Sequence, residues 1–373
     1  MMWDYIQPVK ICFGKGRVSE LKDLAGEAKC TRGLLVSDPF FLSNGLADQL
    51  VKESEGALIE IFANVSQNPD VTEVDECAKV IREKNIGFVA ALGGGSSMDC
   101  AKAAASICMC DDSIRKYHGT GILMPQEHLP LIAIPTTAGT GSEVTCVSVL
   151  TDHENGKKSP IVSEGFYPTA AIIDPQLTYS MPKSVTAGTG IDVLAHALEG
   201  YWSKGHQPIC DACALHAAKL VFQYLYRAYD NPEDEEARAK MCEASVIAGL
   251  AFTLPKTTAS HACSFPLTNL HRIPHGEACG LTLDYFTRIN ARGVQGERIQ
   301  VLSHDLGFQD AEELALAIHD LKASMNLRND LKDLELTDAQ VAELVRVSRH
   351  PNLYNNPVEI TDEMLDAMYQ QMR

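Results

Sequence analysis

The sequence predicts a chain of two halves with different fold classes: an α/β half over residues 1–183 and an all-helical half over residues 184–373. Three observations carry this. Short apolar runs alternate with helix-spaced segments as far as Asp174-Pro175. A glycine-rich turn, Gly93-Gly94-Gly95-Ser96, stands between an apolar run and an Ala-rich helix. From Ser184 onward, 3.6-residue spacing continues almost without a break. With 373 residues, each half is long enough for its own core.

The first half reads in order as follows. Residues 5–13 read as a strand, Gly14-Lys15-Gly16 as a turn and Arg17 to Leu24 as a short helix. Gly33 to Ser37 is a buried strand ending in Asp38-Pro39. An acid at the carboxyl end of a parallel strand can accept hydrogen bonds from a ribose diol, and it can equally cap a helix. Ala57 to Phe62 is the next strand, and Asn68-Pro69-Asp70 opens a helix to about Lys84. Gly87 to Leu92 is a strand that feeds the glycine turn, and Cys100 to Cys108 lies in the helix after it. Glycines there let backbone approach a phosphate, while free N–H groups and the helix dipole favour negative charge. Ser96 and Asp99 fit an N-cap with an acid at N3. The turn is not G-x-G-x-x-G, so the fold is a Rossmann-like variant. Leu129 to Pro135 is a strand followed by Thr136-Thr137-Ala138-Gly139-Thr140-Gly141-Ser142-Glu143, a hydroxyl- and glycine-rich loop suited to pyrophosphate or ribose. Val144 to Thr151 resumes a strand, Asn155-Gly156 marks a hairpin, and Ala170 to Asp174 is the last strand.

The helical half opens on Lys183 to Trp202, apolar nearly all round and therefore buried. Asp192 and His196, four residues apart, project from one face of it. A buried carboxylate needs a cation or several donors. His261 sits in a small-residue helical run, and His275 lies between Pro274 and Gly276, at a turn or a helix start. One Asp and three His make an N₃O set suited to Fe²⁺ or Zn²⁺ with a position open for substrate. A buried His taken alone is more often a packed core residue; the grouping makes the metal reading. Helical spacing continues through Phe222–Tyr226, Cys242–Phe252, Gly280–Asn290, Ala311–Met325 and Asp338–Val347.

A net charge of −17 argues against nucleic-acid or anionic-membrane partners. No apolar run reaches spanning length and no signal peptide is evident at Met1-Met2-Trp3. Twelve cysteines without a secreted spacing point to a reducing cytoplasm, and Cys210-x-x-Cys213 reads as helix packing.

Together, Gly93-Gly94-Gly95-Ser96-x-x-Asp99 with Lys102, Pro135 through Glu143, Gly190-Ile191-Asp192 through Tyr201, and His261 with Ile273-Pro274-His275-Gly276 resemble the iron-containing (group III) metal-dependent alcohol dehydrogenases, relatives of glycerol dehydrogenase and dehydroquinate synthase. The resemblance covers nearly the whole chain. It implies an N-terminal Rossmann-like dinucleotide-binding α/β domain, a C-terminal all-α domain of the dehydroquinate synthase-like type, and a site in the cleft. It implies NAD(H) as cofactor, one divalent ion (Fe²⁺ or Zn²⁺), a small alcohol/aldehyde pair as substrate, and a homodimer or larger homo-oligomer. Asp192, His196, His261 and His275 fall on the family's metal ligands. Asp38, Gly94, Gly95, Ser96, Asp99, Thr136, Thr137, Thr140 and Lys158 fall on or beside its cofactor contacts, and Asp38 favours NAD over NADP. Phe40, Asn68, Ser142, Val147 and Leu177 are placed with them.

One departure bears on substrate. The family's usual His four residues after the third ligand is Phe265 here. The segment from Thr257 to Thr268 resembles the branch that reduces small aldehydes with an anionic head, such as sulfoacetaldehyde or phosphonoacetaldehyde. Arg272, Arg349, His350 and Asn352 are candidates for holding such a head, with Phe252, Thr257 and Ser264 nearby. With no His at 265, the proton comes from water, a ribose hydroxyl or His271. The alternatives are a short-chain alcohol, butanol or 1,3-propanediol-type dehydrogenase, a glycerol-type polyol dehydrogenase, a non-catalytic binding protein, and a dehydroquinate synthase-like lyase. The last lacks the Asp192-x-x-x-His196 pattern.

Overall fold

The structure, a computed structural model, describes residues 2–373. It forms two compact units. One comprises Ile6–Thr137 and Gly141–Thr178; the other comprises Tyr179–Arg373, joined by the chain start through Tyr5 and by Ala138–Thr140.

In the first unit, β1 (Lys10–Phe13), α1 (Leu21–Glu27), β2 (Gly33–Ser37), α2 (Pro39–Ser43), α3 (Leu46–Glu53), β3 (Leu58–Phe62), α4 (Val71–Glu83), β4 (Phe88–Gly93), α5 (Gly95–Ile107), β5 (Leu131–Pro135), β6 (Val147–Asp152), β7 (Lys157–Val162) and β8 (Ala170–Ile173) follow in order. Six strands make one parallel sheet in the order β1-β8-β5-β4-β2-β3. β2, β4 and β5 are buried along their whole length, which is why their sequences run apolar without alternating. From β2 the chain builds outward to β3, then returns to the other side of β2 with β4, so the order reverses between β2 and β4. In open α/β sheets, ligands bind beyond the carboxyl ends of the strands at such a reversal. Ser37 and Leu92 are in register there, so Asp38 and Gly93 leave neighbouring strand ends. The alanines of α5, Ala101, Ala103, Ala104 and Ala105, are buried and let that helix lie close to the sheet. β6 and β7 form a separate antiparallel hairpin through Asn155-Gly156.

Local differences from the sequence expectations have visible causes. The first strand starts at Lys10, because the Gln7 side chain takes the Val144 carbonyl (3.1 Å) and the Val9 N–H (3.1 Å) ahead of it. The expected N-cap at Ser96 is corrected: α5 begins at Gly95 with Gly94 as cap and no side-chain cap bond. Asp99 is directed elsewhere, as described below. The expected strand from Val144 starts at Val147, since Ser142–Val144 is a 3-10 turn. Gly280–Asn290 is not one helix; it is interrupted at Thr282.

The second unit is helical: α6 (Lys183–Trp202), α7 (Pro208–Asp230), α8 (Glu235–Phe252), α9 (Ala259–His271), α10 (His275–Leu281), α11 (Leu283–Ala291), α12 (Gly296–Asp305), α13 (Ala311–Ser324), α14 (Asp338–Val347), α15 (Asn352–Asn355) and α16 (Asp362–Met372). α6 is buried from Thr186 to Trp202 apart from Thr189, packed by α7, α8 and α10. A second apolar cluster, including Ile273, Leu281, Phe286, Leu344 and Tyr369, anchors α9 and α10 to the C-terminal helices. No described helix is long and apolar enough to cross a membrane.

Candidate metal centre and nucleotide cradle

The helical unit gathers four ionisable side chains from three helices. Asp192 and His196 stand one turn apart on α6, His261 is in the first turn of α9, and His275 is the first residue of α10. Gly276 allows the approach: a Cβ there would stand 2.1 Å from the Gly188 carbonyl oxygen and 3.0 Å from Asp192 Cβ. His261 Nε2 lies 3.0 Å from His196 Nε2 and 3.5 Å from Asp192 Oδ1. Phe252 lies flat on the His196 ring, with centroids 4.1 Å apart.

Glu199, one turn beyond His196 on α6, organises the group. Its Oε2 accepts from His261 Nδ1. Its Oε1 accepts from the backbone N–H groups of Thr258 (3.1 Å), Ser260 (2.8 Å) and His261 (3.3 Å), and from the Thr258 hydroxyl (2.8 Å). The buried carboxylate thereby caps α9, whose first N–H groups have no helical partner. Trp202 Nε1 donates to Thr258 Oγ1 (2.9 Å) and extends the network. With its hydrogen on Nδ1 toward Glu199, the neutral His261 ring turns its Nε2 lone pair toward Asp192 and His196. Sequence reasoning missed Glu199. Its signal, an acid three residues after His196 on an all-buried helix, was present in the sequence.

Burial pushes the Asp192 carboxyl up, but His196, His261 and His275 outweigh it and hold it well below the carboxylate range. Burial holds His196 down to about 4. Burial also lowers His261, yet Cys279, Glu199 and Asp192 together raise it well above its ordinary value. Asp192 Oδ1 is buried and accepts no hydrogen bond. A buried carboxylate oxygen with no hydrogen bond is costly unless a cation joins it. The residues fit a divalent ion with N and O ligation.

In the strand unit, the β2 and β4 ends form the cradle. Gly93 has φ +146°, and a Cβ there would stand 2.3 Å from Ser97 Oγ, so the turn requires glycine. Asp38 Oδ1 accepts from Phe40 N (2.9 Å), capping α2, while Oδ2 lies toward Gly93. Burial raises the Asp38 carboxyl. Lys158 Nζ donates to Asn68 Oδ1 (2.8 Å), and Asn68 N donates to Ser96 Oγ (3.2 Å), so three expected cofactor residues form one chain. Thr137 packs beside Gly94, and Thr136 is buried with an unpartnered hydroxyl. Gly95 is the first residue of α5, Phe40 is exposed on α2, and Leu177 packs on the core. Thr140 belongs to the helical unit.

Asp99 and Ser142 are committed inside the protein. Asp99 accepts from the Ser142 hydroxyl (2.9 Å) and Val149 N (2.9 Å), and Lys102 Nζ donates to Ser142 Oγ (2.7 Å), Thr145 Oγ1 (3.2 Å) and the Val147 carbonyl (3.0 Å). These bonds staple the loop after β5 onto α5. Burial drives Lys102 down to about 8 and Glu143 up to about 7.

Residues 8–175 match the iron-containing alcohol dehydrogenase family, and residues 186–372 match its C-terminal part. Alcohol dehydrogenase 4 of Saccharomyces cerevisiae is 32% identical over 370 residues, covering 98% of this chain and 96% of that protein.

The chain belongs to the iron-containing alcohol dehydrogenase family.

This family member is an NAD-dependent, metal-dependent oxidoreductase of alcohols and aldehydes. Sulfoacetaldehyde reductase of Bilophila wadsworthia is 34% identical over 283 residues, 75% of this chain and 73% of that one. The crystal structure of sulfoacetaldehyde reductase from Bifidobacterium kashiwanohense in complex with NAD+ is 64% identical, with a TM-score of 0.98 over 100% of this chain and 99% of that one.

In this dehydrogenase the expected substrate residues divide. Phe265 lies parallel to His275 (6.2 Å between centroids) and packs at a tilt against His350 (4.5 Å). His350 Nδ1 accepts from Asn352 N (3.2 Å), and Asn352 Nδ2 donates to Thr257 Oγ1 (2.8 Å), so Thr257, His350 and Asn352 form one polar group. Ser264 is buried, donates to the His261 carbonyl (2.8 Å) and faces His275 Nδ1 (3.4 Å), which makes it a support for the histidines. Arg349 is paired elsewhere: its Nε donates to Asp362 (2.6 Å) and another nitrogen to the Ile360 carbonyl (2.8 Å). Arg272 is exposed at the left-handed C-cap of α9, and His271 before it is half-buried and lowered by burial.

Proposed function

We propose that this chain is a sulfoacetaldehyde reductase, reducing the aldehyde with NADH to 2-hydroxyethanesulfonate. The observation that carries this is the 64% identity over the whole chain with the Bifidobacterium enzyme.

Asp192, His196, His261 and His275 would hold the divalent ion. An ion held there supplies Lewis acidity to a carbonyl oxygen and lowers the pKa of the corresponding alcohol. Glu199 fixes the His261 tautomer, and Phe252 and Ser264 hold the flanking rings. Asp38, Asn68, Gly94, Gly95, Ser96, Thr137 and Lys158 cradle the dinucleotide, with the ribose diol at Asp38 and phosphate at the N-terminus of α5. Asp99, Ser142 and Val147 shape the loop beside it.

The sulfonate is recognised by His350, Asn352 and Thr257. Because Nδ1 of His350 accepts from Asn352 N, its Nε2 carries the hydrogen and is a donor. A sulfonate offers three acceptor oxygens, and the exposed cation of Arg272 adds to the attraction. His271 relays from solvent the proton that the product hydroxyl takes up. The enzyme is cytoplasmic and forms a homodimer or larger assembly; the open edge of β1 and the exposed Trp3 and Ile6 support an N-terminal contact.

The test is product analysis. Reconstituted with Fe²⁺ or Zn²⁺, the protein should form one 2-hydroxyethanesulfonate for each NADH oxidised. Turnover of neutral aldehydes alone, with no sulfonated product, would favour the short-chain alcohol dehydrogenase reading instead.

A further inference from the structure

A fifth potential donor lies against the four ligands. Cys279 is one helical turn after His275 on α10, fully buried, and its Sγ is 3.7 Å from His275 Nε2. Single donor atoms of Asp192, His261, His275 and Cys279 all lie within 4.8 Å of one another. The pair His275-x-x-x-Cys279 repeats on α10 the spacing of Asp192-x-x-x-His196 on α6, which puts both donors of each pair on one helix face.

The distances suit ligation. Imidazole nitrogens at about 2.0–2.1 Å and a thiolate at about 2.3 Å around one five-coordinate ion, at angles of about 90–120°, stand about 3–3.8 Å apart. His275 Nε2 to Cys279 Sγ is 3.7 Å, and Asp192 Oδ1 to His261 Nε2 is 3.5 Å. A second, independent sign is Asp192 Oδ1, which is buried in the same group with no hydrogen bond.

We propose that Cys279 is a thiolate ligand of the ion, making the centre a five-donor N₃OS site that favours thiophilic ions. This rests on the metal-ligand reading above. On ligation the thiol releases one proton to solvent and the S–metal bond forms in its place, with no change in oxidation state. Sulfur ligation raises affinity for soft and borderline ions relative to Mn²⁺.

Metal-stripped, dinucleotide-free protein would be titrated with Co²⁺ and followed by absorbance. The d–d bands report occupancy by nitrogen and oxygen donors; a near-ultraviolet sulfur-to-cobalt charge-transfer band reports a thiolate. Wild-type protein should show both, Cys279→Ser should lose only the charge-transfer band, and Cys263→Ser, altering a buried cysteine elsewhere on α9, should keep both. The ratio of Cd²⁺ to Mn²⁺ affinity should fall about tenfold or more in Cys279→Ser. Cys279→Ala, checked for native circular dichroism, repeats the test if the serine variant is unstable. Wild-type d–d bands without charge transfer, or a charge-transfer band that survives in Cys279→Ser, would overturn the thiolate while leaving the N₃O ligands in place. No d–d spectrum in the wild type would overturn both readings.

Discussion

Glu199 accepts the Nδ1 hydrogen of His261 and, with its other oxygen, the free N–H groups at the start of α9. One carboxylate therefore sets the position of a helix and the tautomer of a ring on it. Glu199→Gln keeps the shape but loses the charge-assisted bonds. Metal affinity should drop about 10–100-fold, as for other carboxylate partners of ligating histidines. Chelator-competition titration measures this; unchanged affinity would deny Glu199 its orienting role.

Gly276 carries the contact between α10 and α6 that brings His275 to Asp192. Gly276→Ala would drive a methyl into the Gly188 carbonyl, 2.1 Å away. The helices must part, at about 1–3 kcal/mol of stability. Denaturant melts should show that loss together with weaker metal binding.

Glu143 gives a pH dependence with a definite sign. Its buried carboxyl is raised by desolvation from 4.5 to about 7. Between those values the unfolded chain is ionised and the folded one is neutral, so stability falls as pH rises from about 4.5 to about 7. The full effect is about 3 kcal/mol. Glu143→Gln should flatten the stability profile over that window, measured by urea midpoints at a series of pH values.

Much of the centre was legible because its signals are local. An all-apolar helix with Asp192 and His196 on one face requires a partner for buried charge, and Gly and Pro mark His275 as a helix start. The glycine turn after β4 was legible for the same reason, although its cap was not: Gly94 takes the place expected of Ser96. The functions of Glu199 and Asp99 depend on which loop docks against them, and spacing along one helix carries no such information. Cys279 has the same four-residue spacing from His275 as His196 from Asp192, but it stood among twelve cysteines. Arg349 looked like an anion holder because Asp362, its partner, is thirteen residues away.

His350 and Arg349 separate substrate recognition from surface pairing. His350→Ala should raise KM for the sulfonated aldehyde about tenfold, the worth of one hydrogen bond to an anion. Arg349→Ala should leave KM unchanged, and its exposed pair with Asp362 should change stability by about 1 kcal/mol or less. Steady-state kinetics and thermal melts of the two variants decide this; a KM effect at Arg349 would reverse the assignment.

The decisive experiment sets sulfoacetaldehyde against propanal in NADH oxidation by the metal-reconstituted enzyme. Several charge-assisted contacts to the sulfonate should favour sulfoacetaldehyde about 100-fold or more in kcat/KM. Equal or greater kcat/KM for propanal would contradict recognition of an anionic head.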